Sequence, residues 1–352
     1  MACVKLTVSL LSSLVVGCSN ASDVKTTAQA RASSEAAVSA RAAPNEINPR
    51  LLRRFKPLPS RLEAGSNPLT DAKVKLGRAL FFEPRLSKSG TMSCATCHDP
   101  TSYGADGRKV SPGHAGKLGT RNTPTVLNAA GAFAQFWDGR ASTIEEQVKG
   151  PLLNEDEMGM TATDVTRALK RSAGYGDAFR AAFPGEPEPI TVDNVALAIG
   201  AFERTLVTPS RWDAFLLGDA NALTAAEKAG LKTFLNVGCM VCHTGVLLGG
   251  STFERVGAVE SWPNQTDRGR EQVTHFGGDR MMFKVPTLRN VERTAPYFHD
   301  GSVPTLDGAV RAMATHQLGL ELTDDETHGI VTWLKSLTGA VPADLSAPEP
   351  MR

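Results

Sequence analysis

The chain has 352 residues and a formal net charge of +1, with 38 basic and 37 acidic side chains. Such a balance provides no electrostatic footprint for nucleic acid or for an anionic membrane surface. The length allows two or three domains, each able to bury its own core.

Residues 1–17 read as an export signal: Lys5 precedes an apolar run over 6–16 that is too short to span a bilayer. The end of that run, Val15-Val16-Gly17-Cys18, resembles a bacterial lipobox, which predicts lipidation of Cys18 and a mature protein that begins there. Ser19 in the next position, rather than aspartate, predicts anchoring to an outer membrane, and the expected location is the periplasm. An ordinary signal peptide with a chance cysteine leads to the same compartment. Residues 19–50 are rich in Ala, Ser and charge and poor in large apolar groups, so they cannot offset the entropy of ordering and are expected to form a flexible tether.

Of the six cysteines, Cys3 lies in the signal and Cys18 at its end, which leaves Cys94, Cys97, Cys239 and Cys242. Exported cysteines commonly build disulfides, and paired ones can serve thiol redox chemistry or zinc. Here Cys94-Ala95-Thr96-Cys97-His98 and Cys239-Met240-Val241-Cys242-His243 each end in histidine, the signature of c-type haem attachment. Two intervening residues put both sulfurs on one turn, where each can form a thioether with a haem vinyl, and the adjacent imidazole becomes the proximal iron ligand. Two such motifs predict two covalent haems.

The first haem domain is expected over residues 51–208. After its motif, Gly104, Gly107, Gly113, Gly116 and Gly119 give the backbone around His114 freedom to move. Pro124-Thr125 follows, then Trp137-Asp138-Gly139 thirteen residues after the proline, then Thr143-Ile144 and Val148. Val195, Ile199, Phe202 and Leu206 predict one face of a helix. The second domain, 209–339, opens on a capping box of Thr224 and Glu227 and a helix along Leu231, Phe234 and Leu235 that stops at Gly238, just before the second motif. The earlier register then returns as Pro286-Thr287, His299-Asp300-Gly301, Thr305-Leu306 and Val310. Thr323 and Glu326 cap a last helix bearing Ile330, Trp333, Leu334 and Leu337, and 340–352 is a tail. Strand-like alternation is scarce. The predicted fold is mainly α, with two tandem cytochrome c-like haem domains that are copies of one unit.

Met313 follows Leu306 and Val310 at helical spacing and is placed to give a thioether to the second iron, the ligation of an electron-transfer haem. Met281, Met282 and His316 are rival donors, and a methionine on an apolar stripe is often only core. Carried back into the first half, the position of Met313 is Pro151, which offers nothing to a metal. That iron is expected to be open, or capped from elsewhere. His114 is the candidate cap, although a lone loop histidine is ordinarily solvated, the reading given to His275, His316 and His328.

These motifs resemble the bacterial dihaem cytochrome c peroxidase family over nearly all of 51–339. The matching stretches are 80–100, Ser111-Pro112-Gly113-His114, 121–128, 136–140, Gly150-Pro151 with Glu157-Met158, 283–301 and 313–319. The resemblance implies that hydrogen peroxide is reduced to water at the N-terminal haem, with His114 as its detachable distal ligand and Met313 on the C-terminal, electron-delivering haem. It implies Trp137 as a relay between them, and Gln147 and Glu157 lining the peroxide pocket. A single carboxyl there, Glu157, can move a proton between the two oxygens. It further implies calcium held by Asn122 and the carbonyls of Thr294 and Pro296, an oxygen-only set that suits a hard cation. A small cytochrome c or cupredoxin would be the electron donor, and a symmetric homodimer is usual in the family.

Two other functions compete. A dihaem enzyme that oxidises a partner protein, similar to the one that matures the tryptophan-derived cofactor of methylamine dehydrogenase, would carry a distal tyrosine where this chain has Met313; Tyr103, Tyr175 and Tyr297 fall elsewhere in the register. A non-catalytic dihaem electron carrier would keep both irons six-coordinate, which Pro151 does not explain.

Overall fold

Threonine side chains open most of the longer helices by accepting the amide proton three residues on, which satisfies one of the donors a helix start leaves unpaired. The computed structural model describes residues 47–343 and 345–351. The signal, Cys3, Cys18 and the tether up to residue 46 lie outside the described residues. The first copy runs through α1 (Asp71–Phe81), α2 (Cys94–Cys97), α3 (Ile144–Leu153), α4 (Ala162–Lys170), α5 (Ala173–Ala182) and α6 (Val192–Glu203). The second contains α7 (Arg211–Leu216), α8 (Ala225–Val237), β1 (Phe253–Arg255), β2 (Met282–Lys284), α9 (Leu306–Met313) and α10 (Asp324–Lys335). The two strands pair antiparallel in a short ribbon, and the fold is otherwise helical.

Both expected capping boxes form, Thr224 with Glu227 and Thr323 with Glu326, and Gly238 ends α8 with φ +101°. Leu206 and Leu337 lie just past the ends of α6 and α10 rather than on them, yet both are buried. The chain tightens after each helix, and the leucine drops into the core from the turn.

The duplication extends to single hydrogen bonds. In the first copy α1 crosses α6 at Gly77, where an added Cβ would sit 1.8 Å from the Ala198 carbonyl oxygen; in the second α8 crosses α10 at Gly230, 1.8 Å from that of Gly329. Helices this close need glycine at the crossing. Thr125 Oγ1 donates to the Tyr103 carbonyl, and Thr287 Oγ1 donates to that of Leu247. Asn128 and Asn290 both adopt φ +61°, a left-handed conformation asparagine tolerates. Their side-chain amides both donate to one acceptor, Thr208 Oγ1, at 2.8 and 2.9 Å. Thr208 is fully buried and joins the copies.

The main apolar cluster of each copy lies around Leu80, Phe81 and Phe202 in the first and around Trp212, Phe234 and Trp333 in the second, with a smaller one around Trp262, Met281 and Phe283. The ends of the chain cross over. Phe55 packs edge-on to Trp212, and Leu58 N–H donates to the Asp213 carboxylate, so residues expected to open the first domain belong to the second core. Leu345 from the tail packs in the first core, and Arg78 donates to the Ser346 carbonyl. A one-turn helix, Pro49–Leu52, already begins inside the stretch read as tether.

Thr208→Val should leave two buried amide donors without an acceptor and lower stability by about 1–3 kcal/mol for each group left unpaired. Gly77→Ala and Gly230→Ala should each cost about 1–3 kcal/mol through overpacking, against their gain in helix propensity. Thermal unfolding of the haem-loaded variants checks both; a neutral alanine at either glycine would show that the crossing yields.

Candidate functional site

Each Cys-x-x-Cys-His motif is a single tight turn whose histidine is aimed by its other nitrogen. His98 Nδ1 lies 3.2 Å from the Gly104 carbonyl oxygen and His243 Nδ1 lies 3.0 Å from that of Leu248. With the proton on Nδ1, each imidazole donates to that carbonyl and leaves the Nε2 lone pair for a metal. Burial holds both imidazoles below their ordinary pKa, which favours the neutral, ligating form. The four cysteines are not joined to one another. Burial pushes the Cys94 thiol up to about 12 and that of Cys239 to about 11, which disfavours a free thiolate at neutral pH.

A cavity of about 580 Å³ opens over Cys94, Cys97 and His98. Leu86, Val126, Ile144, Val148 and Ile199 give it apolar walls that suit a flat macrocycle, with many polar and charged groups among the remaining lining residues. Gln147 and Pro151, one turn apart on α3, line it together with Glu157 and Trp137. Glu157 Oε1 accepts from Asn154 Nδ2 at 2.8 Å, which aims the carboxylate. The expected pocket residues thus come together. His114 does not line the cavity: its backbone N–H donates to the Glu157 carbonyl at 2.7 Å, its ring packs on Gly159, and Nε2 lies 3.1 Å from the Glu155 carbonyl oxygen.

The copies meet through equivalent residues. Asn122 N–H donates to the His299 carbonyl at 2.8 Å, and Lys284 N–H, at the same register in the second copy, donates to that of Trp137 at 2.7 Å. The Trp137 and His299 rings lie 6.5 Å apart, edge to face, and His299 stacks on Phe283 at 4.1 Å. Trp137 is held by its indole N–H on the Asn122 carbonyl. Arg121 ties the junction, bonding Asp138 in the first copy and Asp267 in the second. The Asn122 side chain donates through Nδ2 to the Arg108 carbonyl, which leaves Oδ1 as its atom for a cation. Among the described residues no group of three His, Cys, Asp or Glu is set to hold a metal ion; Asn122 with the carbonyls of Thr294 and Pro296 would be a different class of site.

In the second copy, Met313 ends α9 half-buried, where the helix widens into a π turn, Ala314–Leu318, that closes at Gly319. Such turns are frequent at functional positions. Met281 is buried against Trp262 and Phe283, and Met282 lies in the β ribbon. His316 is not a solvated histidine as expected: its ring packs on Trp262 at 5.1 Å and Nδ1 lies 3.1 Å from the Glu260 carbonyl oxygen. His275 and His328 are exposed as expected.

The family model for di-haem cytochrome c peroxidase matches residues 71–221. Cytochrome c551 peroxidase of Pseudomonas aeruginosa is 46% identical over 295 residues, 82% of this chain and 85% of that protein. The protein of the same name from Nitrosomonas europaea is 44% identical over 271 residues, 76% and 80% of the two chains. This chain belongs to the dihaem cytochrome c peroxidase family. It is accordingly an enzyme, an oxidoreductase that acts on peroxide and works with two haems. Among solved structures, a MauG-like protein associated with microbial copper homeostasis superposes with TM-score 0.75 at 30% identity, over 83% of this chain and 97% of that one. Among the described residues no helix is long and apolar enough to cross a membrane.

Among the cavity residues not singled out in the sequence are Lys284 and Glu203. Lys284 stands at the register of Asn122, a signal that the repeat alignment carried. Glu203 also lines the cavity; an acid directly after Ala201-Phe202 in an apolar helix was the mark that could have found it.

Arg121→Met should cost about 3–5 kcal/mol at neutral pH by stranding the poorly solvated Asp267 carboxylate and leaving Asp138 to Arg140 alone. Although burial raises its pKa, the hydrogen bond from Arg121 holds Asp267 below the ordinary value. Its contribution is therefore present above the ordinary carboxylate range and lost as pH falls through the lowered value. Thermal unfolding of parent and variant at about pH 7 and about pH 4 should give a gap that narrows in acid; an unchanged gap would assign the loss to packing.

Proposed function

We propose that this dihaem peroxidase divides its labour between its copies, with the N-terminal haem site taking peroxide and the C-terminal site delivering electrons. The observation that carries the reading is one register position: Pro151 in the first copy, beneath a cavity that also holds Gln147 and Glu157, against Met313 in the second. Cys94 with Cys97, and Cys239 with Cys242, would attach the haems covalently, His98 and His243 would bind iron, and Met313 would complete the second site. Bound haem supplies the redox centre for reducing hydrogen peroxide to two waters with two electrons and two protons.

The protein's own part is proton handling and placement. Glu157, aimed by Asn154, takes a proton from one peroxide oxygen and returns it to the other, which leaves as water. Gln147 has no proton to exchange and orients the substrate by hydrogen bonds. Trp137, pinned to Asn122 and edge-on to His299, bridges the two sites. His114, which bonds back onto the Glu155 to Glu157 turn, would be the detachable cap of the N-terminal site. Its swing inward would close the cavity.

The same reading takes a small cytochrome c or cupredoxin as donor, calcium at Asn122, Thr294 and Pro296, and a periplasmic protein tethered through lipidated Cys18, working as a symmetric pair. The rival in which a partner protein is oxidised draws on the likeness to a MauG-like structure. It is disfavoured by two of the tyrosines: the Tyr297 hydroxyl donates to the Val291 carbonyl and that of Tyr175 to Glu83 in the first copy.

Stopped-flow absorbance with hydrogen peroxide tests the scheme. Glu157→Gln should lower the rate by about 10²–10⁴-fold with both haem spectra unchanged. His114→Gly should react rapidly in the fully oxidised state, whether or not the parent needs prior half-reduction. An undiminished rate in Glu157→Gln would remove the acid from the mechanism, and no reaction in any form would leave an electron carrier.

A further inference from the structure

Helix α6 buries Val195, Ala198, Ile199 and Phe202, and then, one residue later, a carboxyl: Glu203 is 3% exposed. Its Oε2 has no hydrogen-bond partner, and among the described residues no ion pair includes it. The next residue, Arg204, spends its guanidinium on Glu145, with two bonds of 3.0 Å, and Asn67 donates to Glu145 as well.

The duplication shows that the fold has no need of an acid here. Gly77 meets Ala198 and the Phe202 side chain as Gly230 meets Gly329 and that of Trp333, so Phe202 corresponds to Trp333 and Glu203 to Leu334. Leu334 is equally buried. The apolar residue serves the C-terminal copy, and the carboxyl is confined to the copy whose cavity Glu203 lines.

An ionised carboxylate at this position would lose its hydration and face the Glu145 carboxylate with no counter-ion of its own. The groups that act on it are Glu145 from α3, Arg204 from its own helix and, across the cavity floor, Cys94 of α2. Burial first, and Glu145 second, push its pKa up to about 8, against the pull of Arg204. A neutral acid has an O–H to donate, and Oε2 meets no protein acceptor. The cavity side is where one can come from.

We propose that Glu203 is a neutral carboxylic acid that donates a hydrogen bond to the occupant of the N-terminal cavity, at a carboxylate on the haem edge, and so positions and tunes that haem alone. This rests on the reading that a haem fills that cavity. The bond withdraws negative charge from the haem edge and thereby favours the reduced iron; without it the N-terminal midpoint potential falls. The C-terminal haem, with Leu334 at the matching place, has no such bond to lose.

The test uses the haem-loaded full chain, its haem content measured first by pyridine haemochrome, together with Glu203→Gln and Glu203→Leu. Infrared difference spectra of parent against Glu203→Gln at neutral pH should contain the carbonyl stretch of a protonated carboxylic acid. In redox titrations Glu203→Gln, which keeps a donor, should hold the N-terminal potential near the parent's. Glu203→Leu should lower it and leave the C-terminal potential in place. One haem per chain in the parent would overturn the reading of the cavity. Two haems with no acid carbonyl band, or with an equal shift of both potentials or of neither in Glu203→Leu, would overturn the role of Glu203 and leave that reading standing. If Glu203→Leu does not fold, the infrared comparison decides by itself.

Discussion

The molecule depends on a reciprocal pair of backbone hydrogen bonds, Asn122 to His299 and Lys284 to Trp137, donated in opposite directions across the junction of its two copies. Backbone amides have one donor and little latitude in direction, so the pair sets the register of one copy against the other. Because the accepting carbonyls belong to Trp137 and His299, the same bonds place those two rings face to edge. Arg121, on Asp138 and Asp267, closes the arrangement from one side. Thr208 closes it from another by accepting from Asn128 and Asn290. On the proposed division of labour, the contacts that join the copies would also form the route between the sites, so distortion of the junction would change electron delivery.

On that nearly symmetric frame the differences between the copies stand out as chemistry. Pro151 opposes Met313, Glu203 opposes Leu334, Asn122 opposes Lys284, and Trp137 opposes His299. Each pair occupies equivalent backbone, so the fold tolerates either member and the choice answers to the group each copy serves. The first copy collects an acid over the cavity, a buried carboxyl in its wall and a position with no metal donor. The second has Leu334 opposite the buried carboxyl and the thioether of Met313 opposite Pro151. A peroxide site must hold protons and leave a coordination position open, whereas an electron site must do neither.

The crossed chain ends bear on how the copies stay together. Phe55 and Leu58 stabilise the second core from the start of the described chain, and Leu345 the first core from its end. Neither copy is therefore a contiguous piece of sequence. The boundary near residue 208 is the place where the chain passes from one core to the other, but each core also includes residues from the far end, so cutting there would remove packing from both.

The sequence by itself determined the cofactor motifs, the duplication and the helices that carry Phe202, Phe234, Met313 and Trp333. Those features rest on local chemistry: two cysteines and a histidine on one turn, threonine caps, apolar residues at helical spacing, and a fixed interval between Pro-Thr and the Asp-Gly that follows. It also carried the asymmetry of Pro151 and Met313, because register is a property of the chain alone. What only the tertiary structure decided involves partners far apart in sequence. His316 finds Trp262 and the Glu260 carbonyl 56 residues away. His114 is placed by its bonds to the turn from Glu155 to Glu157. Glu203 reads as an ordinary helix-end acid until burial removes its water and Glu145 takes its natural counter-ion, Arg204. A side chain's protonation and its freedom to bond depend on what surrounds it in space, and that is settled when the helices close on one another.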